Sequence, residues 1–135
     1  MIQKKCLVVD IDGTLCPTKQ PLERYEDLEP YAEIVDMLRR YSGEGFHIIL
    51  ATSRSMRTYE GNMGLILANT APVLLDWLRR HQVPYDELHF GKPWPGEVGF
   101  YVDDRAIRPS EFRNLTLAQI SELLENEKTR VNAGS

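Results

Sequence analysis

The chain has 135 residues, 42% of them apolar and 27% charged, with a net charge of −4. That is the size and composition of one ordinary globular domain with a real core, expected over residues 1–127 with a frayed tail at 128–135. The acidic balance argues against nucleic acid as a partner, because phosphate-backbone binding needs a basic face, but it leaves room for a small phosphorylated substrate.

No apolar run approaches the ~18 residues of a membrane span, and the N-terminus leads at once into a short strand rather than a signal peptide. Cys6 and Cys16 form neither a disulfide framework nor a zinc pattern. A cytoplasmic, reducing location without membrane association is the expectation.

In chain order, the apolar run Cys6-Leu7-Val8-Val9 predicts a buried parallel strand over 5–10, closing on Asp10-Ile11-Asp12-Gly13-Thr14. Residues 13–29 read as a polar connection containing Pro17 and Pro21. A helix is predicted from Pro30, with Tyr31, Ile34, Val35, Leu38 and Tyr41 on its apolar face and Gly43 and Gly45 at its end. Phe46 to Ala51 is a second buried strand, finishing at Thr52. Ser53 to Asn69 reads as a long polar loop. Thr70 then caps a helix with Pro72 in its first turn and Leu74, Trp77 and Leu78 inward. Glu87 to Phe90 is a short third strand, and Gly99-Phe100-Tyr101-Val102 a fourth that ends on Asp103-Asp104. Thr116 to Gln119 is a capping box for a last helix, whose buried stripe would be Leu117, Ile120, Leu123 and Leu124.

Strands alternating with helices predict an α/β fold, a three-layer, doubly wound parallel sheet with helices on both faces. In such sheets the ligand sits beyond the carboxyl ends of the strands. Asp10, Thr52 and Asp103 each fall at such an end, so three separate strands would deliver polar groups to one edge.

The chemistry of those residues suits phosphoryl transfer. Two carboxylates one residue apart, at a strand end followed by a glycine, can converge on one point. Like charges ~4 Å apart repel by about 4 kcal/mol at an effective dielectric of 20. A hard divalent cation such as Mg²⁺ relieves that repulsion, with Asp10, Asp12 and the pair Asp103 and Asp104 as candidate ligands. Asp10 is the natural nucleophile, attacking phosphorus to form an aspartyl phosphate. Asp12 would protonate the departing alkoxide and then activate water. Thr52 offers a hydroxyl to a phosphoryl oxygen; the bland alternative is a strand-end threonine bonded to its own backbone. Lys92, between Gly91 and Pro93, would neutralise phosphoryl oxygens and hold Asp10 ionised. Asp104 would act through water or orient Lys92. Four carboxylates and a phosphate dianion beside a single lysine call for a metal.

Asp-x-Asp-Gly-Thr, strand-Thr, Gly-Lys-Pro and strand-Asp-Asp, in that order, resemble the four motifs of the haloacid dehalogenase superfamily over residues 5 to about 112. Ala51 to Asn62, Gly91 to Trp94 and Gly99 to Pro109 are similar to its small capsule-polysaccharide biosynthesis phosphatases. The resemblance implies a Rossmann-like core and a Mg²⁺-dependent phosphatase of bacterial surface-sugar metabolism. It maps Asp10 to the nucleophile, Asp12 to the acid/base and Asp103 to the metal. Ser53, where many relatives carry alanine, is a rival for the role of Thr52. The gaps between motifs are too short for a folded cap domain. Selectivity would then come from residues 53–69, with Arg54, Arg57, Tyr59, Glu60 and Asn62, from Trp94, or from a neighbouring subunit of a homo-oligomer. The rival readings are a polynucleotide end phosphatase, which the net charge disfavours, and a phospho-aspartate receiver-type module, which lacks an acid two residues after its phosphorylated aspartate.

Overall fold

The computed structural model describes residues 4–133. The chain forms two compact units, Met1–Trp94 and Pro95–Ser135.

The first unit is built on three parallel strands, β1 (Cys6–Asp10), β2 (His47–Ala51) and β3 (Glu87–His89), in the order β1-β2-β3. The register places Asp10 beside Ala51 and Ala51 beside His89. The three strands therefore stop together, and the residues that follow them share one edge. The alternation of a strand divides its side chains between two faces. Ile48 and Leu50 are fully buried on one. On the other, Val8, Ile49, Ala51, Glu87 and His89 border an open groove of about 440 Å³ together with Phe90, Gly91 and Lys92.

Between β1 and β2 runs helix α1 (Ala32–Gly43), which packs against β2. It starts two residues after Pro30 and buries Ile34, Val35, Met37, Leu38 and Tyr41, the expected stripe with Met37 in place of a half-buried Tyr31. The stretch after β2 departs from a long loop. Asn62 caps a helix α2 (Met63–Asn69) by accepting the Leu65 N–H at 3.2 Å. Helix α3 (Ala71–Arg80) follows at once and buries Leu74, Trp77 and Leu78 as its periodicity predicts. Thr70 precedes it without a side-chain cap: its backbone is already helical rather than extended, and its hydroxyl meets Ser55 Oγ at 2.7 Å. Trp77 Nε1 donates to the Leu28 carbonyl at 2.7 Å, which ties α3 to a short 3-10 turn at Tyr25–Asp27 inside the 13–29 connection.

The second unit holds helices α4 (Pro109–Asn114) and α5 (Leu117–Ala133). The capping box before α5 forms as expected: Gln119 N donates to Thr116 Oγ1 at 3.2 Å, and Thr116 N to Gln119 Oε1 at 2.8 Å. Two expectations fail here. Residues 99–102 are not a strand. Phe100 and Val102 are largely exposed, and an apolar run becomes a strand only where a neighbour supplies ladder partners. The α5 stripe is also thinner than its period suggests: Ile120 is buried, whereas Leu117 and Leu123 are exposed. The helix continues past Lys128 to Ala133; Gly134 and Ser135, the end of the expected tail, lie outside the described residues. Among the described residues, no helix is long and apolar enough to cross a membrane.

Candidate active site

Asp10 is the last residue of β1, and the chain turns tightly behind it. The Ile11 carbonyl accepts from the N–H groups of Thr14, Leu15 and Cys16, and Gly13 N donates to the Cys16 carbonyl at 2.8 Å. Gly13 takes φ +87°, a left-handed conformation that costs glycine nothing, so this turn needs the glycine that the motif supplies. The turn carries Asp12 back towards the sheet edge.

Asp10 and Lys92 meet there, with Nζ 3.6 Å from Oδ1. Burial raises the Asp10 carboxyl above the usual range and the charge of Asp12 adds to it; Lys92 and the Ile11 N–H pull it back down. A carboxylate under that tension is a ready acceptor of positive charge. Lys92 itself is placed by the backbone of β2: its N–H donates to the Thr52 carbonyl at 3.1 Å, and Thr52 N donates to the His89 carbonyl at 2.9 Å. Gly91 makes the turn into Lys92 with φ +85°, and a Cβ there would lie 2.9 Å from Met63 Sδ.

Thr52 is buried and its Oγ1 accepts the Arg54 N–H at 3.0 Å. This is the local backbone bond of the bland reading. It uses an oxygen lone pair only, and the hydroxyl proton remains a donor. Ser53 is half-buried beside it.

Asp12 is gripped by Arg54. Arg54 Nε donates to Oδ2 at 3.2 Å and Nη2 to Oδ1 at 2.8 Å, a bidentate pair. The Arg54 side chain is only 2% exposed, and its guanidinium lies 4.0 Å from the centroid of the Tyr25 ring. Cys16 Sγ, fully buried, lies 3.8 Å from Asp12 Oδ1. Burial first and Asp12 second push its thiol up to about 12. The expectation of a single lysine therefore needs amending: Arg54 is a second cation, and Asp10, Asp12, Lys92 and Arg54 balance one another in charge.

Farther out, the Arg57 guanidinium stands 5.6 Å over the Trp94 ring, whose side is exposed. Asn62 is engaged as the α2 cap, and Glu60 takes φ +49°. Asp103 and Asp104 belong to the second unit, where Asp103 Oδ1 accepts the Arg105 N–H at 2.7 Å and both residues are exposed. Among the described residues, no three His, Cys, Asp or Glu side chains are gathered closely enough to hold a metal ion. The donors of the first unit nevertheless suit a hard cation: Asp10 is partly open, bears only oxygen ligands, and is held up by burial and a like charge.

Sequence reasoning missed Tyr25 and Cys16 as parts of this site. Tyr25 carried one signal: it is the single aromatic residue between Gly13 and Glu29.

No protein-family model matches the chain, and no curated protein does. Among solved structures, the crystal structure of a structural-genomics target from Vibrio cholerae is 49% identical, covering 91% of this chain and 98% of its own, with a TM-score of 0.86. The chain belongs to one family with that protein. A D,D-heptose 1,7-bisphosphate phosphatase from B. bronchiseptica, complexed with magnesium and phosphate, is 16% identical over 70% of this chain and 53% of its own, with a TM-score of 0.45. A Pnkp1/Rnl/Hen1 complex is 19% identical over 82% of this chain and 34% of its own, at 0.49. The chain spans little more than half of the one and a third of the other, and neither superposition defines a shared fold.

Proposed function

We propose that this chain is a Mg²⁺-dependent phosphomonoesterase of the haloacid dehalogenase type, with a doubly wound core and no folded cap. Its substrate would be a small sugar or polyol phosphate of capsule or surface-polysaccharide biosynthesis, in a cytoplasm that keeps Cys6 and Cys16 reduced. The observation that carries the reading is the meeting of Asp10 with Lys92 Nζ at 3.6 Å, next to Thr52 at the end of the adjacent strand.

In this mechanism an Asp10 oxygen attacks phosphorus, and the bond from phosphorus to the leaving oxygen breaks. Asp12, with one oxygen kept on Arg54 and the other released and protonated, gives that proton to the leaving oxygen, and the alcohol departs. Water then attacks the aspartyl phosphate and yields its proton to Asp12. The bond from phosphorus to Asp10 breaks and inorganic phosphate leaves. Lys92 and the Thr52 hydroxyl stabilise charge on the non-bridging oxygens, with Ser53 beside them. Mg²⁺, when bound, would supply positive charge to the phosphoryl oxygens; in the first unit Asp10 and Asp12 are the residues that would hold it. Arg57 with Trp94 would reach the sugar, the cation for oxygens and the ring for an apolar face.

Asp12 separates this reading from a receiver-type module, which has no use for an acid beside its phosphorylated aspartate. The test is a panel of phosphorylated metabolites assayed for phosphate release with Mg²⁺ and with EDTA. Turnover of a sugar or polyol phosphate that stops in EDTA is expected. No release from any phosphomonoester, or release unaffected by chelation, would reject it.

A further inference from the structure

Arg54 follows Thr52 closely in sequence, which points it at a phosphoryl group. Its surroundings point elsewhere. Two N–H groups on one edge of the guanidinium grip both oxygens of Asp12, at 3.2 and 2.8 Å. The guanidinium carbon lies over the Tyr25 ring, 4.0 Å from its centroid. The backbone N–H is fixed to Thr52 Oγ1 at 3.0 Å. With 2% of its side chain exposed, this arginine is held by the turn after β1, the end of β2 and the 3-10 turn at Tyr25–Asp27. An arginine that reads a substrate must present its fork to open space; this one presents it to a carboxylate.

We infer that Arg54, seated on the Tyr25 ring, is the positioning residue of Asp12 rather than a ligand of the substrate. This rests on the reading of Asp12 as the acid/base. Asp12 follows a strand end and precedes a glycine turn, so nothing in its own backbone fixes the plane of its carboxyl. A planar two-pronged donor does, and the Tyr25 ring against the guanidinium restrains the donor's movement. A lysine would supply the charge without the fork. Proton transfer requires the donor to be within hydrogen-bond reach of the leaving oxygen, so loss of aim costs rate wherever the leaving group needs a proton.

The leaving group therefore provides the test. Benzyl phosphate and p-nitrophenyl phosphate are of similar size, but the benzyl alkoxide needs a proton to depart and p-nitrophenolate does not. The quantity to compare is kcat/KM, which reports the first phosphoryl transfer, in Mg²⁺, for wild type, Arg54→Lys, Arg54→Ala, Tyr25→Leu and Asp12→Asn. Arg54→Lys should lose about a hundredfold on benzyl phosphate, the low end of general acid catalysis, and under about tenfold on p-nitrophenyl phosphate. Added guanidinium should restore part of the benzyl phosphate rate to Arg54→Ala. Tyr25→Leu, which leaves the ion pair chemically intact, should show the same selective loss, several-fold in size. Equal losses on both probes, carried by KM, would make Arg54 a phosphate ligand and overturn the inference while Asp12→Asn still discriminates between the probes. If Asp12→Asn itself fails to discriminate, the acid role is wrong and the inference falls with it.

Discussion

Lys92 bridges two strand ends: its backbone N–H donates to the Thr52 carbonyl at 3.1 Å, and its ammonium stands 3.6 Å from Asp10 Oδ1. The end of the central strand thus sets where the cation of the site can stand. The turn that permits this is Gly91, at φ +85° and with Met63 Sδ 2.9 Å from the place a Cβ would take. Gly91→Ala should cost about 1–3 kcal/mol of stability through strain at that φ. It should also lower kcat/KM, because Lys92 shifts with its backbone. Thermal unfolding and phosphate release check the two effects; an alanine variant with unchanged melting and turnover would contradict the placement.

Asp10 bears on stability as well as chemistry. Burial raises its carboxyl, so the folded protein holds this proton more tightly than the unfolded chain does. Stability then falls as pH rises from the ordinary carboxylate value through the folded one, and the charged form is the costly one above that window. In EDTA at neutral pH, Asp10→Asn should therefore melt higher than wild type, and the gap should close as pH drops below the ordinary carboxylate value. A variant that melts lower at neutral pH would show that Lys92 outweighs burial.

Arg57 and Trp94 should act only on substrates large enough to reach them. Arg57→Ala is expected to raise KM several-fold for the best sugar or polyol phosphate and to leave KM for p-nitrophenyl phosphate nearly unchanged. Steady-state kinetics on both decide it. Equal changes on both would move selectivity to the 13–29 connection or to another chain.

Cys16 is fully buried and its thiol is pushed up to about 12. At pH 8 only about one in ten thousand such thiols is ionised, and the thiolate is the reactive form. Iodoacetamide should label the half-buried Cys6 first and reach Cys16 only on unfolding. Peptide mass mapping checks this; rapid labelling of native Cys16 would place it outside the core.

Much of the sheet edge was legible because strand ends announce themselves. Cys6–Val9 and Phe46–Ala51 are apolar runs too short for helices, and each stops on a polar residue. The capping box at Thr116 was equally plain, being a local signal satisfied by local bonds. Helix α2 is hard to see in Ser53–Asn69 because polar residues dominate its first half, although Met63, Leu65, Ile66 and Leu67 follow a capping Asn62. Residues 99–102 misled for the opposite reason. Pairing is not local, and four apolar residues in a row do not carry their own partners. Arg54 shows the same limit at the site. Its spacing from Thr52 suggested a phosphate, while its partner Asp12 lies 42 residues away in sequence. Only the fold could pair them.

Asp10 should carry the phosphoryl group during turnover. The protein is mixed with its best substrate and Mg²⁺ and quenched in acid within one turnover, and its peptides are mapped by mass. One added phosphoryl group is expected on the peptide containing Asp10, at its carboxylate, and none in Asp10→Asn, which should turn over no substrate. A phosphoryl group trapped on another residue, or sustained phosphate release by pure Asp10→Asn, would contradict it.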